Sequence, residues 1–312
     1  MPMGWYIAHR LVQGVVTMWL VTLGVFMLMR MTGDPLSFLL PPDATKEDRE
    51  HFMQAYALNE PVWKQYLLFN KNVFTGSFGK SIRWDSREGL EVFLSRLPAT
   101  LLLTSTAMVL SVAVGVVLGA VSATRPDSFF DRLGKGVAIL GQSMPVFWVG
   151  LLLILLFTVR LGWLPSAGGV DRLGLKGLIL PALTLGWLFV ASHMRIVRSS
   201  MLDALDADYI KMVRAKGLPR RTVIWKHALK NASIPIFTLF AVNFSQLISG
   251  AVVTETIFAW PGVGRLLVDS VFVRDFTVVQ TVVFFAAAFV VAINIVVDVT
   301  YAWLDPRVRV MR

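Results

Sequence analysis

Residues 99–122 read Ala-Thr-Leu-Leu-Leu-Thr-Ser-Thr-Ala-Met-Val-Leu-Ser-Val-Ala-Val-Gly-Val-Val-Leu-Gly-Ala-Val-Ser. No charge interrupts them, and about 20 predominantly apolar residues suffice to cross a bilayer as a helix. Only helices and closed barrels satisfy their backbone groups in lipid. The stretch lacks the polar–apolar alternation of a barrel strand, so it reads as a membrane helix. Five further runs read the same way: 11–29, 136–159, 177–194, 232–259 and 276–304. The last two are long enough to tilt or to leave the bilayer at one end. The expected fold is an all-α integral membrane protein, one domain over 1–312, with six transmembrane helices.

Composition agrees. Of 312 residues, 55% are hydrophobic and only 16% charged, against about a quarter charged in soluble chains. That excludes an ordinary cytosolic enzyme and a disordered chain. There are no cysteines, which removes disulfides, thiolate metal sites and cysteine nucleophiles. The four histidines, His9, His51, His193 and His227, are scattered, so no metal site is expected. The first run exceeds the usual signal-peptide core, and no small-x-small cleavage site follows it. It reads as a retained helix, with a simple signal anchor as the alternative.

Orientation follows from Lys and Arg in the loops. With both termini cytoplasmic, the inside segments 1–10, 123–135, 195–231 and 305–312 carry 16 basic and 6 acidic residues. The outside segments 30–98, 160–176 and 260–275 carry 14 and 12. Long loops translocate largely regardless of charge, and without 30–98 only 5 basic residues remain outside. The net charge of +10 is therefore mostly a topology signal. Trp163 and Trp260 fall at the expected outer interface, Trp5 and Trp303 at the inner one.

Two loops are large. The outer one, 31–95, carries helix signals around 45–58, at Pro61–Asn70 and at Glu88–Leu97, with a turn at Gly76–Gly79. It suits either a platform that meets a partner or a packed lid. The inner one, 195–231, holds Leu202, Leu205, Tyr209, Met212 and Val213 at helical spacing. Gly217-Leu218-Pro219 then breaks the helix, and a second amphipathic segment, Arg220–Asn231, follows. A DNA-binding helix–turn–helix fits poorly, because membrane spans clamp both ends. Topology needs positive charge but not two amphipathic helices with an enforced corner. Docking of a cytoplasmic partner is the preferred reading, and contact with anionic lipid stays open.

The stretch Asp208-Tyr-Ile-Lys-Met-Val-Arg-Ala-Lys-Gly217-Leu, followed by His227-Ala-Leu-Lys-Asn-Ala-Ser-Ile-Pro235, resembles the cytoplasmic loop of ABC importer permeases of the peptide/nickel type. Further motifs agree in order along the whole chain: Gly33-Asp-Pro35, Gly76-Ser-Phe-Gly-Lys-Ser81, Arg96-Leu-Pro-Ala-Thr100 and Ser143-Met-Pro-Val-Phe-Trp148. Glu255-Thr-Ile-Phe-Ala-Trp-Pro-Gly-Val-Gly-Arg265 and Leu304-Asp-Pro-Arg307 complete the series. Lys211-Met212-Val213 stands where the general importer pattern has Glu-Ala-Ala.

The resemblance implies a type I importer permease with an external helical loop and a cytoplasmic coupling helix. It implies a second homologous permease, two cytoplasmic ATPase subunits that bind ATP and magnesium, and an extracytoplasmic solute-binding protein. Substrates of such relatives are di- and oligopeptides, nickel chelates or glutathione-like solutes. The chain itself carries no phosphate-binding Gly-x4-Gly-Lys-Ser/Thr loop, so no catalytic residue, cofactor or nucleic-acid partner is expected in it. The coupling residues are then Asp208, Tyr209, Met212, Val213, Arg214, Ala215, Lys216, Gly217 and Leu218. Tyr209, Met212 and Val213 are the candidates for packing against the ATPase, and Arg214 and Lys216 for pairing with its acids.

Inside the expected bundle, Ala107, Ser111, Gly115, Gly119 and Ala123 form a small-residue stripe that permits close helix contact. Pro145 should kink the third span and either shapes a pathway or fits its neighbours. Asn243, Gln246, Gly250 and Thr254 share one face, a candidate pathway wall or a set of interhelical hydrogen bonds. Glu255, Trp260, Pro261 and Gly262 mark a turn read as an outer gate facing the binding protein. Asp298 lies near the inner end of the sixth span. The rival classes are an ion- or proton-coupled transporter or channel, and an intramembrane hydrolase built on Ser192 and His193. The first would favour internal repeats and mid-membrane charges, and none is evident.

Overall fold

The computed structural model describes residues 3–31, 45–55, 58–81 and 83–304. The elements are helices α1 (Met3–Met31), α2 (Lys46–Ala55), α3 (Val62–Thr75), α4 (Gly89–Thr124), α5 (Phe129–Ser143) and α6 (Val146–Leu153). A π-helical segment, Ile154–Arg160, extends α6. Then come α7 (Val170–Leu173), α8 (Lys176–Asp206), α9 (Asp208–Ala215), α10 (Arg220–Thr222), a second π segment (Val223–Ala228), α11 (Leu229–Ile257), α12 (Val263–Phe272) and α13 (Phe276–Leu304). Lys80 and Glu88 form an isolated antiparallel bridge. The all-helical expectation holds.

Among the described residues four helices are long and apolar enough to cross a membrane: Ala8–Met31, α4, α8 and Phe276–Val296. The fifth expected span is covered by α11, a single 29-residue helix. The third differs from a gently kinked rod. Phe129–Ser143 and Val146–Arg160 are apolar enough together, but they meet at 108°. Met144 is extended, and Pro145 (φ −59°, ψ 139°) opens the second helix. Proline lacks the N–H that would have continued the ladder.

The chain separates into two compact units, 1–98 with 262–312, and 99–261. In the first, α1 runs against α13 so closely that a Cβ on Gly14 would lie 2.6 Å from Val291 Cγ1. Phe26 of α1 meets Tyr66 and Phe69 of α3 in an aromatic cluster. Ser81 donates to the Asp275 carboxylate, and the Val278 N–H caps the other carboxylate oxygen at 3.2 Å. Val92, Phe93, Val263, Leu266, Val278 and Val282 make the core there. Residues 78–81 and 83–97 are thus packed down on α12 and α13.

In the second unit α8 is central, with α4, α5, α6 and α11 around it. The small-residue stripe of α4 makes the contact its spacing predicts. A Cβ on Gly119 would lie 2.7 Å from the Met194 carbonyl, and one on Gly186 2.9 Å from that of Ala107. Leu103, Ala107, Leu185, Phe189, Leu247 and Trp260 form one core. Val197, Met201, Ile210, Val223, Ala228 and Ile236 form another.

Candidate functional site

The 195–231 segment is less a loop than a continuation of its neighbours. Helix α8 runs unbroken to Asp206, past the expected end at Met194. Extended Ala207 (φ −65°, ψ 146°) turns the chain into α9, whose first turn carries Asp208. Lys216 ends α9, and Gly217 follows at φ +74°, with nothing within 4 Å of an added Cβ. Backbone conformation, not space, therefore demands glycine here. Pro219 starts α10, and the chain passes through the π segment into α11 without leaving the helical path.

Burial divides the residues expected to pack on a partner. Ile210 is fully buried, and Tyr209 and Val213 pack beside it on the chain's own core. Tyr209 and Val213 thus serve the fold, because at this spacing they share the inward face of α9. Met212 points the other way and is 64% exposed. Exposed Arg214, Ala215, Lys216 and Leu218 continue its surface, and Asp208 pairs with Lys211 at 2.8 Å. A cavity of about 460 Å³ opens beside the corner, with Thr124, Leu205, Arg214 and Arg220 in its lining. Arg220 Nη2 donates to the Thr124 carbonyl at 2.9 Å. The corner offers a sulfur-bearing apolar tip rimmed by cations, a surface suited to an acidic, partly apolar groove.

Behind the corner lies a constellation that sequence reasoning missed. Asp131, near the start of α5, is 0% exposed. Arg198 of α8 grips it bidentately, Nε to Oδ1 at 2.7 Å and Nη2 to Oδ2 at 3.0 Å. Lys135 Nζ approaches to 2.9 Å. Ser122, at the end of α4, donates its hydroxyl to Oδ1, and the Asp127 N–H donates to Oδ2 at 3.0 Å. The Arg198 guanidinium holds the Asp131 carboxyl well below the usual carboxylate range against the upward push of burial, with help from Ser122, Lys135 and the Asp127 N–H. One carboxylate thus fastens α4, α5 and α8 together. The only local sign of it is Ser128-x-x-Asp131, a helix-start pattern, and the Ser128 hydroxyl does accept from the Asp131 N–H at 3.3 Å.

The polar face of α11 is also divided. Asn243 is buried and donates to Ser192 Oγ of α8 at 3.2 Å. Thr254 is buried as well, whereas Gln246 is exposed beside Val242 and Val253. Asn243 thus makes a bond between helices, and Gln246 stands on the exposed side of α11. The burial of Gly250 and the side chain of Asp298 lie outside the described residues. Ser192 Oγ donates to the Phe189 carbonyl at 2.9 Å, so it is not poised against His193 as a hydrolase pair requires.

Glu255 is 0% and Trp260 1% exposed. Thr100 Oγ1 donates to Glu255 at 2.6 Å, and Trp260 Nε1 donates to the Ala99 carbonyl at 2.9 Å. Ring atoms of Pro261 would stand 2.8 Å from a Cβ on Gly169, and the Gly168 N–H donates to the Phe258 carbonyl at 3.0 Å. Glu255 and Trp260, read from sequence as part of an outer gate on the binding-protein side, hold the turn from within. Gly262 is the extended residue that opens α12. Among the described residues no cluster of three or more His, Cys, Asp or Glu could hold a metal ion.

Long apolar helices and an apolar helix pair broken at a proline are the build of a membrane protein. Comparison with known proteins agrees. Residues 115–310 match the model of the family described as binding-protein-dependent transport system inner membrane component. The oligopeptide transport system permease protein AppB of Bacillus subtilis is 38% identical, over 97% of this chain and 99% of its own. The di/tripeptide transport system permease protein DppB of Pseudomonas aeruginosa is 37% identical over 98% and 99%. The glutathione transport system permease protein GsiC of Escherichia coli is 38% identical over 97% and 98%. In fold, the chain is similar to a structure of the MetNI methionine ABC transporter in inward-facing conformations. That match has a TM-score of 0.56 and 18% identity, and covers 67% of this chain and 94% of that one. The chain belongs to the family of inner-membrane components of binding-protein-dependent ABC importers.

Proposed function

We propose that this chain forms one half of the membrane pathway of an importer of di- or oligopeptides or related small solutes. A second, similar permease completes the pathway, two ATPase subunits bind at the 208–218 corner, and a solute-binding protein delivers from the other side. The names of the relatives support the substrate class. The basic excess of 195–231 supports a cytoplasmic corner and cytoplasmic termini. The exposed strip Val242, Gln246 and Val253 of α11 supports a face turned toward the pathway or the second permease.

One observation carries the coupling role. Ile210 is fully buried and the Asp131–Arg198 clamp holds α8, while Met212 on the same short helix stays exposed. A push on the exposed side of α9 therefore reaches α8 and α11 without being absorbed by a soft joint. The test is Gly217→Asp in the full transporter, reconstituted with its ATPases and binding protein. The variant inserts and assembles, but loses peptide uptake and the stimulation of ATP hydrolysis by loaded binding protein. Gly217→Asn, which tolerates the left-handed backbone better than most residues and adds no charge, retains more of both. Normal coupling in Gly217→Asp refutes the assignment.

A further inference from the structure

Where α1 ends, the first unit contains an open cavity of about 500 Å³. Its walls come from α1, α3, the Phe78–Lys80 stretch and the first turns of α13. Phe26, Phe69 and Phe78 make one side apolar. Arg30, Gln65 and Lys80 make another side polar. The Arg30 guanidinium lies 3.8 Å from the centroid of the Phe26 ring. Its Nε donates to Gln65 Oε1 at 2.8 Å, and Nη2 donates to the same oxygen. The Gln65 amide is itself held, because its Nε2 donates to the Glu60 carbonyl at 2.6 Å. Arg30 is thus fixed in place by a neutral acceptor, which orients the charge without cancelling it.

Among the described residues no carboxylate pairs with Arg30 or with Lys80. A half-buried guanidinium without a counter-charge is unfavourable, and such groups are normally paired. The cavity therefore calls for an anion. Its position says which kind. Only 17% of the apolar stretch of α1 is buried, and Val12, Val15, Trp19, Leu20 and Leu28 are exposed along it. Such a face suits acyl chains, and the cavity lies at its end, where the headgroups of a bilayer would stand. An anion tethered to hydrocarbon satisfies both walls, with its charge on Arg30 and Lys80 and its chain on the phenylalanine side.

We propose that this cavity binds the phosphate headgroup of one anionic phospholipid and so fastens the end of α1 to α3 and α13. Basic groups at the ends of membrane helices attract such headgroups, and with Nε and Nη2 held by Gln65 the Nη1 side of Arg30 is left to donate to phosphate oxygens. The site requires the membrane but not the coupling role of the 208–218 corner.

The test is native mass spectrometry of the purified full chain from micelles holding equal phosphatidylglycerol and phosphatidylcholine. The wild-type protein keeps one phosphatidylglycerol in preference to phosphatidylcholine. Arg30→Gln and Lys80→Gln each lower that retention by about fivefold. Lys80 is exposed, so Lys80→Gln reads the site without disturbing the fold. Unchanged retention in Lys80→Gln overturns the proposal, whatever becomes of Arg30→Gln. So does equal retention of the two lipids by the wild type. Displacement of the lipid by a free tripeptide also overturns it, since that would assign the cavity to solute.

Discussion

Helices α1 and α8 look alike in sequence, each a long apolar run read as a span. In the structure they are opposites. In α8, 72% of the residues in its apolar stretch are buried, against 17% in α1. Yet α1 is the more apolar of the two. In water the most apolar helix would sit innermost. In lipid, hydrocarbon outside is as apolar as leucine, so hydrophobicity gives no reason to go inside. What draws a helix inward is close packing and polar partners. Helix α8 has Gly186 and Met194 against the small stripe of α4, Ser192 against Asn243, and Arg198 against Asp131. Among the described residues the contacts of α1 include Gly14 on Val291, the Phe26 cluster, Thr22 at the Tyr66 hydroxyl and Arg30 on Gln65.

The contrast is open to attack by substitution. The largest effect is expected at Arg198. Arg198→Ala leaves Asp131 buried with only Lys135 as counter-charge and destabilises the chain by about 3 kcal/mol, measured as midpoint loss in a denaturation series in detergent. The folded-state carboxyl of Asp131 is depressed, so its contribution is fully present above the unfolded value of about 4 and fades only as pH falls below it. The stability gap between wild type and Asp131→Asn is therefore constant from about pH 5 to pH 8. A gap that shrinks across that window contradicts the clamp. Next comes Gly186→Leu. Its first carbon would meet the Ala107 carbonyl at 2.9 Å, and backbone cannot yield as a side chain does. A loss of about 1–3 kcal/mol is expected. Smallest is Val15→Ala on the exposed face of α1, within about 0.5 kcal/mol of wild type. A large loss there means that this face is covered in the isolated chain.

Much of this was legible in the residues. The Gly217-Leu218-Pro219 corner could be read directly, because a glycine that needs positive φ and a proline without an N–H are local demands. The α4 stripe was legible for the same reason, as a period of small residues needs no knowledge of its partner. Pro145 announced a break but not its size. The 108° follows from what both halves touch: Gly141 of α5 lies against Ala191, and Gly150 of α6 against Thr184, so both dock on α8. Asp131–Arg198 and Thr100–Glu255 were invisible, since 67 and 155 residues separate the partners. For the same reason the burial of Glu255 could not be read from the sequence. At Tyr209 and Val213 an amphipathic face shows that something covers it, not whether the cover is a partner or the chain's own core.

The division of α9 proposed above, its outward side on the ATPase and its inward side on the chain's own core, rests on exposed Met212 and buried Ile210. A photo-crosslinking residue placed at Met212 and, separately, at Tyr209 of the assembled transporter tests it most directly. Met212 is expected to join to an ATPase subunit and Tyr209 only to this chain. Crosslinks from Met212 to lipid alone, in complexes that still transport, would contradict it.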